Sequence, residues 1–188
     1  NDEWKSEKTD FYLQTIATNL EHPWSLAFLP NGDQLVTERT GQLRLIRDGK
    51  LQKEPVRGLP DLAVSGQGGL LDVVLHPEFS DNHQLFLSYA HKTREGLTTR
   101  VARAVFDGET LSDVNVIFEA LPRSRAGRHF GSRLEFDHDG YLYISVGDRG
   151  DMDRAQDRQD DAGGVHRITT DGEPAPGNPF LDNASAND

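Results

Sequence analysis

Residues 25–50, SLAFLPNGDQLVTERTGQLRLIRDGK, are the stretch that decides the fold. Short apolar segments alternate here with residues that favour tight turns. Asn31-Gly32 and Asp48-Gly49 supply the positive φ angles that hairpin turns require. The stretch therefore predicts three antiparallel strands joined by two hairpins. The three strands run Ser25–Pro30, Gln34–Thr40 and Gln42–Arg47.

The same pattern occurs twice more along the chain. The second copy contains Leu70–His76, Gln84–Ala90 and Arg100–Phe106, followed by Asp107-Gly108. The third contains Arg133–Phe136, Tyr141–Val146 and Gly164–Thr169. Sheet units repeated every ~45 to 60 residues indicate a β-propeller, in which four to eight such blades surround a central channel. The predicted fold class is all-β, with about three blades of a longer propeller.

Composition narrows the classes of partner. The 188 residues carry a formal net charge of −11, which repels phosphate backbones, so no nucleic acid is expected. No apolar run reaches the ~18 to 20 residues that a membrane span needs, so a soluble protein is expected. The chain has no cysteine, which excludes disulfides and thiolate chemistry. Residues 1–10 are predicted to form a polar tail, 11–188 to belong to one propeller domain, and Leu181–Asp188 to connect toward a further blade.

Two longer loops enter the first strands of the second and third units. They are Ala63–Gly69 (AVSGQGG) and Pro122–Ser132 (PRSRAGRHFGS). Loops that precede the innermost strands of a propeller gather at the channel mouth, so Gln67 and His129 are predicted to meet there. From the residues alone, His129 is either a structural histidine or a catalytic base, and the amide of Gln67 either caps a turn or binds a ligand. No lysine follows at P-loop spacing, which excludes a nucleotide cradle.

Six motifs in this order resemble the soluble PQQ-dependent (pyrroloquinoline quinone) glucose and aldose sugar dehydrogenases. They are HPWSLAFLP (22–30), GQGGLLD (66–72), HPEF (76–79), HFGSRL (129–134), GDRG (147–150) and GNPF (177–180). The resemblance implies a six-bladed β-propeller of which this chain covers about half, with PQQ and calcium at the channel mouth. It also implies a removed export signal, and hence a periplasmic or secreted protein.

The resemblance implies oxidation of an aldose at the anomeric carbon to a lactone. His129 would act as general base on the anomeric hydroxyl while hydride passes to PQQ, and both Gln67 and His129 would contact cofactor and sugar. An imidazole suits this role because its unperturbed pKa of about 6.5 leaves it able to accept a proton near neutrality. Calcium would act as a Lewis acid, with ligands expected beyond residue 188. An electron acceptor is required, and a homodimer is compatible with the resemblance.

Three positions depart from the family pattern. Arg128 stands where a short polar or acidic residue is common, and it receives no role. Asp161 and Gly164 replace a common histidine and lysine, so cofactor affinity or substrate range is expected to differ. His166 lies in a strand pattern and is predicted to be structural.

Two other groups of residues receive structural interpretations. The charged segment Asp148–Asp161 does not fit an EF-hand, and its interleaved Arg149, Arg154 and Arg158 predict a self-compensating solvated loop. Asp148 and Arg149 are expected to fix the loop near the channel. Eight aromatic residues are predicted to pack within blades: Trp24, Phe28, Phe79, Phe86, Phe106, Phe136, Tyr141 and Tyr143.

Two alternatives to the dehydrogenase remain open. A metal-dependent lactonase-type propeller would need carboxylate and asparagine ligands, which are scarce on the two mouth loops. A non-catalytic binding propeller is the second, since relatives such as hedgehog-interacting proteins use the fold for protein recognition. Those relatives are cysteine-rich, unlike this chain.

Overall fold

The computed structural model describes residues 2–180, whose regular secondary structure consists almost entirely of antiparallel strands. A separate hairpin contains β1 (Asp2–Lys5) and β2 (Asp10–Leu13). The first blade contains β3 (Pro23–Phe28), β4 (Gln34–Glu38), β5 (Gln42–Arg47) and β6 (Lys50–Leu51). The second contains β7 (Leu70–Leu75), α1 (Phe79–Asn82), β8 (Gln84–Lys92), β9 (Leu97–Phe106) and β10 (Leu111–Glu119). The third contains β11 (Gly131–Phe136), β12 (Leu142–Val146), a 3-10 helix (Met152–Gln156) and β13 (Val165–Ile168).

Each sheet is a meander whose strands pair in sequence order, as the repeat predicts. All three predicted units are confirmed. The first and second sheets each have four strands, whereas the sequence predicted three. The strands that were not predicted are β6 and β10. Strand β6 is only two residues long, and β10 contains two register shifts against β9 that disrupt its apolar alternation.

Two statements about the ends of the chain stay predictions. Residues 1–10 were predicted to form a polar tail separate from a domain at 11–188. They contain β1, which pairs with β2, and this pairing does not test where the domain begins. The predicted connection at Leu181–Asp188 lies outside the described residues.

The core lies between the blades. Leucines of the first and second sheets, including Leu35, Leu43 and Leu87, form one buried cluster. A second cluster between the second and third sheets includes Phe86 and Leu142. A third, smaller cluster lies beneath the two mouth loops and contains Leu71, Ala90, Leu97 and Phe130. The apolar faces of neighbouring blades therefore hold the ring segment together.

Aromatic packing differs from the prediction at two positions. Phe79, Phe86 and Phe106 are buried as expected. The prediction is wrong for Phe28 and Tyr143, whose side chains are 66% and 38% exposed. Both lie on faces of the first and third sheets that the described residues cover only in part. No helix in the described range is long and apolar enough to cross a bilayer.

A buried carboxylate joins the first strands of all three blades. Asp72 on β7 accepts a hydrogen bond from the Ser25 hydroxyl of β3 at 2.5 Å. It also accepts one from the Leu134 amide of β11 at 2.7 Å, and Arg133 Nη1 lies 3.2 Å from its Oδ1. The residue is only 1% exposed, so these polar partners replace water. Asp72 thus fixes the register between the strands that leave the two mouth loops.

Candidate functional site

The two mouth loops contact each other directly. The His129 amide donates to Gln67 Oε1 at 2.8 Å, across 62 positions of sequence. The Gln67 backbone amide donates to the Gly127 carbonyl at 2.8 Å. The predicted convergence of Gln67 and His129 at one end of the ring segment therefore agrees with the geometry. Nε2 of Gln67 makes no hydrogen bond within the described chain, so this amide group can still donate to a ligand.

Gly66 permits this close approach. Its φ is +60°, and a β-carbon there would collide with the Gly127 carbonyl carbon and oxygen. The Arg39 guanidinium donates to the Gly66 carbonyl at 2.8 Å, which ties the loop to the end of β4. A glycine is thus required both by the backbone conformation and by the space available.

Gly66→Ala is expected to destabilise the protein by about 2 kcal/mol or more, because left-handed strain adds to a backbone collision. Gly32→Ala is the matched control, since Gly32 has φ +88° but open space around a β-carbon. Denaturant unfolding of both variants measures the difference. Equal losses for the two substitutions would show that the loops can separate without cost.

The imidazole of His129 is held by Asp148. His129 Nδ1 lies 2.7 Å from Asp148 Oδ1, and the Gly150 amide donates to the same oxygen at 2.7 Å. The Gly150 and His129 donors hold the pKa of Asp148 below its usual value, so the carboxylate is ionised at neutral pH and only accepts. Nδ1 therefore carries the proton, and Nε2 is the acceptor. Half of the His129 side chain is exposed, which leaves Nε2 accessible.

Sequence reasoning gave Asp148 only a loop-fixing role. Its place in the repeat could have identified Asp148 as a partner of His129. The GDRG motif follows β12, so it lies at the same end of the blades as His129. The bend that returns Asp148 toward His129 requires positive φ angles at Arg149 and Gly150, which are +60° and +80°. Arginine at a positive φ is uncommon, so local sequence preferences do not predict this bend.

Arg149 lies beneath the His129 loop. Its Nε donates to the Arg128 carbonyl at 3.0 Å, its Nη2 donates to the Ala126 carbonyl, and the guanidinium covers the Phe130 ring at 3.7 Å. Burial lowers the pKa of Arg149 to about 10, so the group remains charged at neutral pH. The expectation that Arg149 pairs with a carboxylate is wrong, since its hydrogen bonds go to the carbonyls that it orders. Its expected role in fixing the loop agrees with these contacts.

Elsewhere in the charged segment, the expected pairing with a carboxylate is confirmed for Arg154, which contacts Asp160 at 2.6 Å. The structure does not show it for Arg158, whose guanidinium lies 4.5 Å from the centre of the Phe180 ring. Asp161 accepts the Leu121 amide at 2.6 Å, and His166 is buried with its Nε2 3.1 Å from the Asp161 carbonyl. His166 is therefore structural, as predicted.

Within the described residues no three His, Cys, Asp or Glu side chains are grouped to hold a metal ion, so calcium stays a prediction.

The fold and the mouth geometry define a β-propeller segment with a histidine–carboxylate pair between its mouth loop and the turn after β12. The chain belongs to the glucose/sorbosone dehydrogenase family, whose sequence model matches residues 20–188. This result confirms the resemblance and the fold class inferred from the motifs.

Individual relatives agree with this assignment. An uncharacterized protein of Synechocystis is 43% identical, over 91% of this chain and 46% of its own length. An aldose sugar dehydrogenase of Escherichia coli is 38% identical, over 93% of this chain and 48% of its own length. The PQQ-bound structure of an aldose sugar dehydrogenase from Streptomyces coelicolor superposes with a TM-score of 0.80 at 34% identity, covering 93% of this chain and 51% of that one. The chain thus spans about half the length of the relatives it matches.

Proposed function

We propose that the full-length protein is a PQQ-dependent dehydrogenase that oxidises aldoses at the anomeric carbon to lactones, with His129 as general base. The observation that carries this proposal is the contact between His129 Nδ1 and the Asp148 carboxylate, which leaves an exposed accepting nitrogen at the channel mouth. A PQQ-bound relative and a family of sugar dehydrogenases support the same chemistry.

The mouth residues fit an anionic cofactor such as PQQ. The unpaired Nε2 of Gln67 and the guanidinium of Arg128 are donors at the loop surface, and buried Arg149 adds positive charge below them. Gln67 and His129 are the residues of this chain that would hold PQQ. When bound, PQQ supplies a quinone that accepts hydride.

Residues of this chain would accept the proton that the sugar loses and stabilise the resulting charge. Nε2 of His129 accepts the proton of the anomeric hydroxyl as the C–H bond of that carbon is broken, so the sugar loses a proton and a hydride together. The developing imidazolium is stabilised by ionised Asp148 at 2.7 Å. Gln67 accepts a hydrogen bond from the His129 backbone amide. Arg149 donates to the carbonyls of Ala126 and Arg128 and so fixes the same loop. The base is therefore positioned before substrate binds.

Other expectations remain part of this proposal. A periplasmic or secreted location, a calcium ion, a separate electron acceptor and a homodimer belong to the full-length protein that we propose.

The direct test adds PQQ and calcium to the full-length protein and follows reduction of a redox dye with glucose and other aldoses. Dye reduction with formation of the lactone is expected. Lactone hydrolysis that needs no PQQ would support the lactonase alternative instead. If the protein has neither activity but binds a protein partner, the result would support the non-catalytic binding propeller.

Asp148→Asn is expected to reduce kcat about tenfold to a hundredfold with little change in KM, because it removes a charge-assisted bond to His129. Since the pKa of Asp148 is lowered, the bond is present above the usual aspartate pKa of ~3.9 and is lost only as pH falls through the lowered value. The kcat of wild-type protein should therefore show no Asp148 titration near neutrality. Asp139→Asn, in the exposed β11–β12 turn, is the matched control. An unchanged kcat in Asp148→Asn would remove Asp148 from the mechanism.

A further inference from the structure

We propose that Arg128 forms a carboxylate-binding subsite beside His129, an inference that rests on the proposed function. The carboxylate can come from an aldose that carries an acid group, such as a uronic acid, or from the quinone cofactor. In both cases the shared chemistry is a planar carboxylate that accepts two parallel hydrogen bonds from a guanidinium.

The position of Arg128 brings its side chain to the edge of the site. Its guanidinium lies against the α-carbon of Gly150, where any added β-carbon would collide with Nε. The Gly150 amide and His129 Nδ1 share one oxygen of Asp148. The guanidinium and the imidazole are thus arranged around the same turn, and Gly150 leaves the space that Arg128 occupies.

Arg128 differs from most arginines of the molecule in its partners. Within residues 2–180 its guanidinium makes no hydrogen bond or ion pair, and the side chain is exposed. The chain has 31 acidic and 20 basic residues, so carboxylates are not scarce. Asp148, whose pKa Arg128 helps to lower, directs its Oδ1 to Gly150 and His129 instead. Five arginines elsewhere contact carboxylates at 2.5 to 3.0 Å: Arg100, Arg103, Arg123, Arg154 and Arg167.

The local charge at this loop is opposite in sign to that of the whole chain. Arg149 lies below the Arg128 carbonyl and bonds backbone carbonyls rather than a carboxylate. The mouth loop Pro122–Ser132 contains Arg123, Arg125 and Arg128 and no acidic residue. A net positive loop on a chain of net charge −11 attracts an anion to this edge. Because Arg149 is buried, it contributes only to the electrostatic potential, whereas the exposed Arg128 can contact the anion directly.

The test uses the full-length protein and measures binding by isothermal titration calorimetry with D-glucuronate, with D-glucose as its neutral analogue, and with PQQ. Arg128→Gln is expected to weaken binding of D-glucuronate or of PQQ about tenfold or more, and to leave D-glucose binding unchanged. Arg128→Lys should retain part of the affinity because the charge remains. Arg125→Gln, an exposed arginine of the same loop, is the matched control and should change neither affinity.

The two sources of the carboxylate are separated by which titration changes. Loss of D-glucuronate affinity assigns the subsite to the sugar, and loss of PQQ affinity assigns it to the cofactor. If Arg128→Gln binds both as tightly as wild type, the subsite does not exist. If D-glucuronate binds in an Arg128-dependent manner but no aldose reduces the dye, the subsite stands and the dehydrogenase proposal fails.

Discussion

His129→Asn is expected to lower the kcat of PQQ-dependent aldose oxidation by about 10² to 10⁴-fold, the usual contribution of a general base. Asparagine cannot accept the anomeric proton at neutral pH, yet it tolerates a positive φ, which is +52° at this position. The substitution therefore removes the base with little backbone strain. Steady-state dye reduction with D-glucose measures the loss.

Two controls separate chemistry from folding. The free energy of unfolding of His129→Asn should stay close to wild type, because half of the imidazole is exposed and its side-chain hydrogen bond is to Asp148 alone. The kcat is compared at saturating PQQ, because His129 would also contact the cofactor. His138→Asn changes an exposed histidine in the β11–β12 turn and should leave kcat unaltered. A His129→Asn variant that retains wild-type kcat would exclude this histidine as the base.

Asp72→Ala is expected to destabilise the full-length protein by about 3 to 5 kcal/mol, as when one partner of a buried polar network is removed. The substitution leaves the Leu134 amide and the Ser25 hydroxyl without their acceptor. The Arg133 pair contributes less, since the Arg133 side chain is 61% exposed. Urea unfolding measures the loss.

Asp72→Asn tests the same network with less change in volume. It should cost about 2 kcal/mol, because an amide cannot accept through both terminal atoms. Asp139→Asn is again the control, with an expected change within about 0.5 kcal/mol at an exposed turn. If Asp72→Asn is as stable as Asp139→Asn, the three first strands are held together by apolar packing alone.

The blades could be predicted from sequence because turn residues and apolar alternation are local signals. Asn31-Gly32 marks a hairpin wherever it stands, and the repeat then gives the topology that places Gln67 and His129 at one end. Strand β10 was missed because two register shifts break its alternation. Phe28 and Tyr143 look like core residues by type, but burial depends on what covers a sheet face, which no local pattern states.

The site was only partly predictable for a similar reason. His129 stands out by its glycine-rich surroundings, whereas its partner Asp148 is one carboxylate in a charged segment. Its role follows from a bend at Arg149 and Gly150 that is visible only in three dimensions. Interleaved charges suggested that Arg149 pairs with an acid, yet the aromatic ring of Phe130 and two backbone carbonyls offered it a buried position instead.

The most direct test of the account is a double-mutant cycle between His129 and Asp148, read out as kcat for D-glucose oxidation by the PQQ-loaded full-length protein. If Asp148 acts by holding the base, Asp148→Asn should lower kcat in the wild-type background and have no further effect in His129→Asn. Equal proportional losses from Asp148→Asn in both backgrounds would contradict the account, because the carboxylate would then act independently of His129.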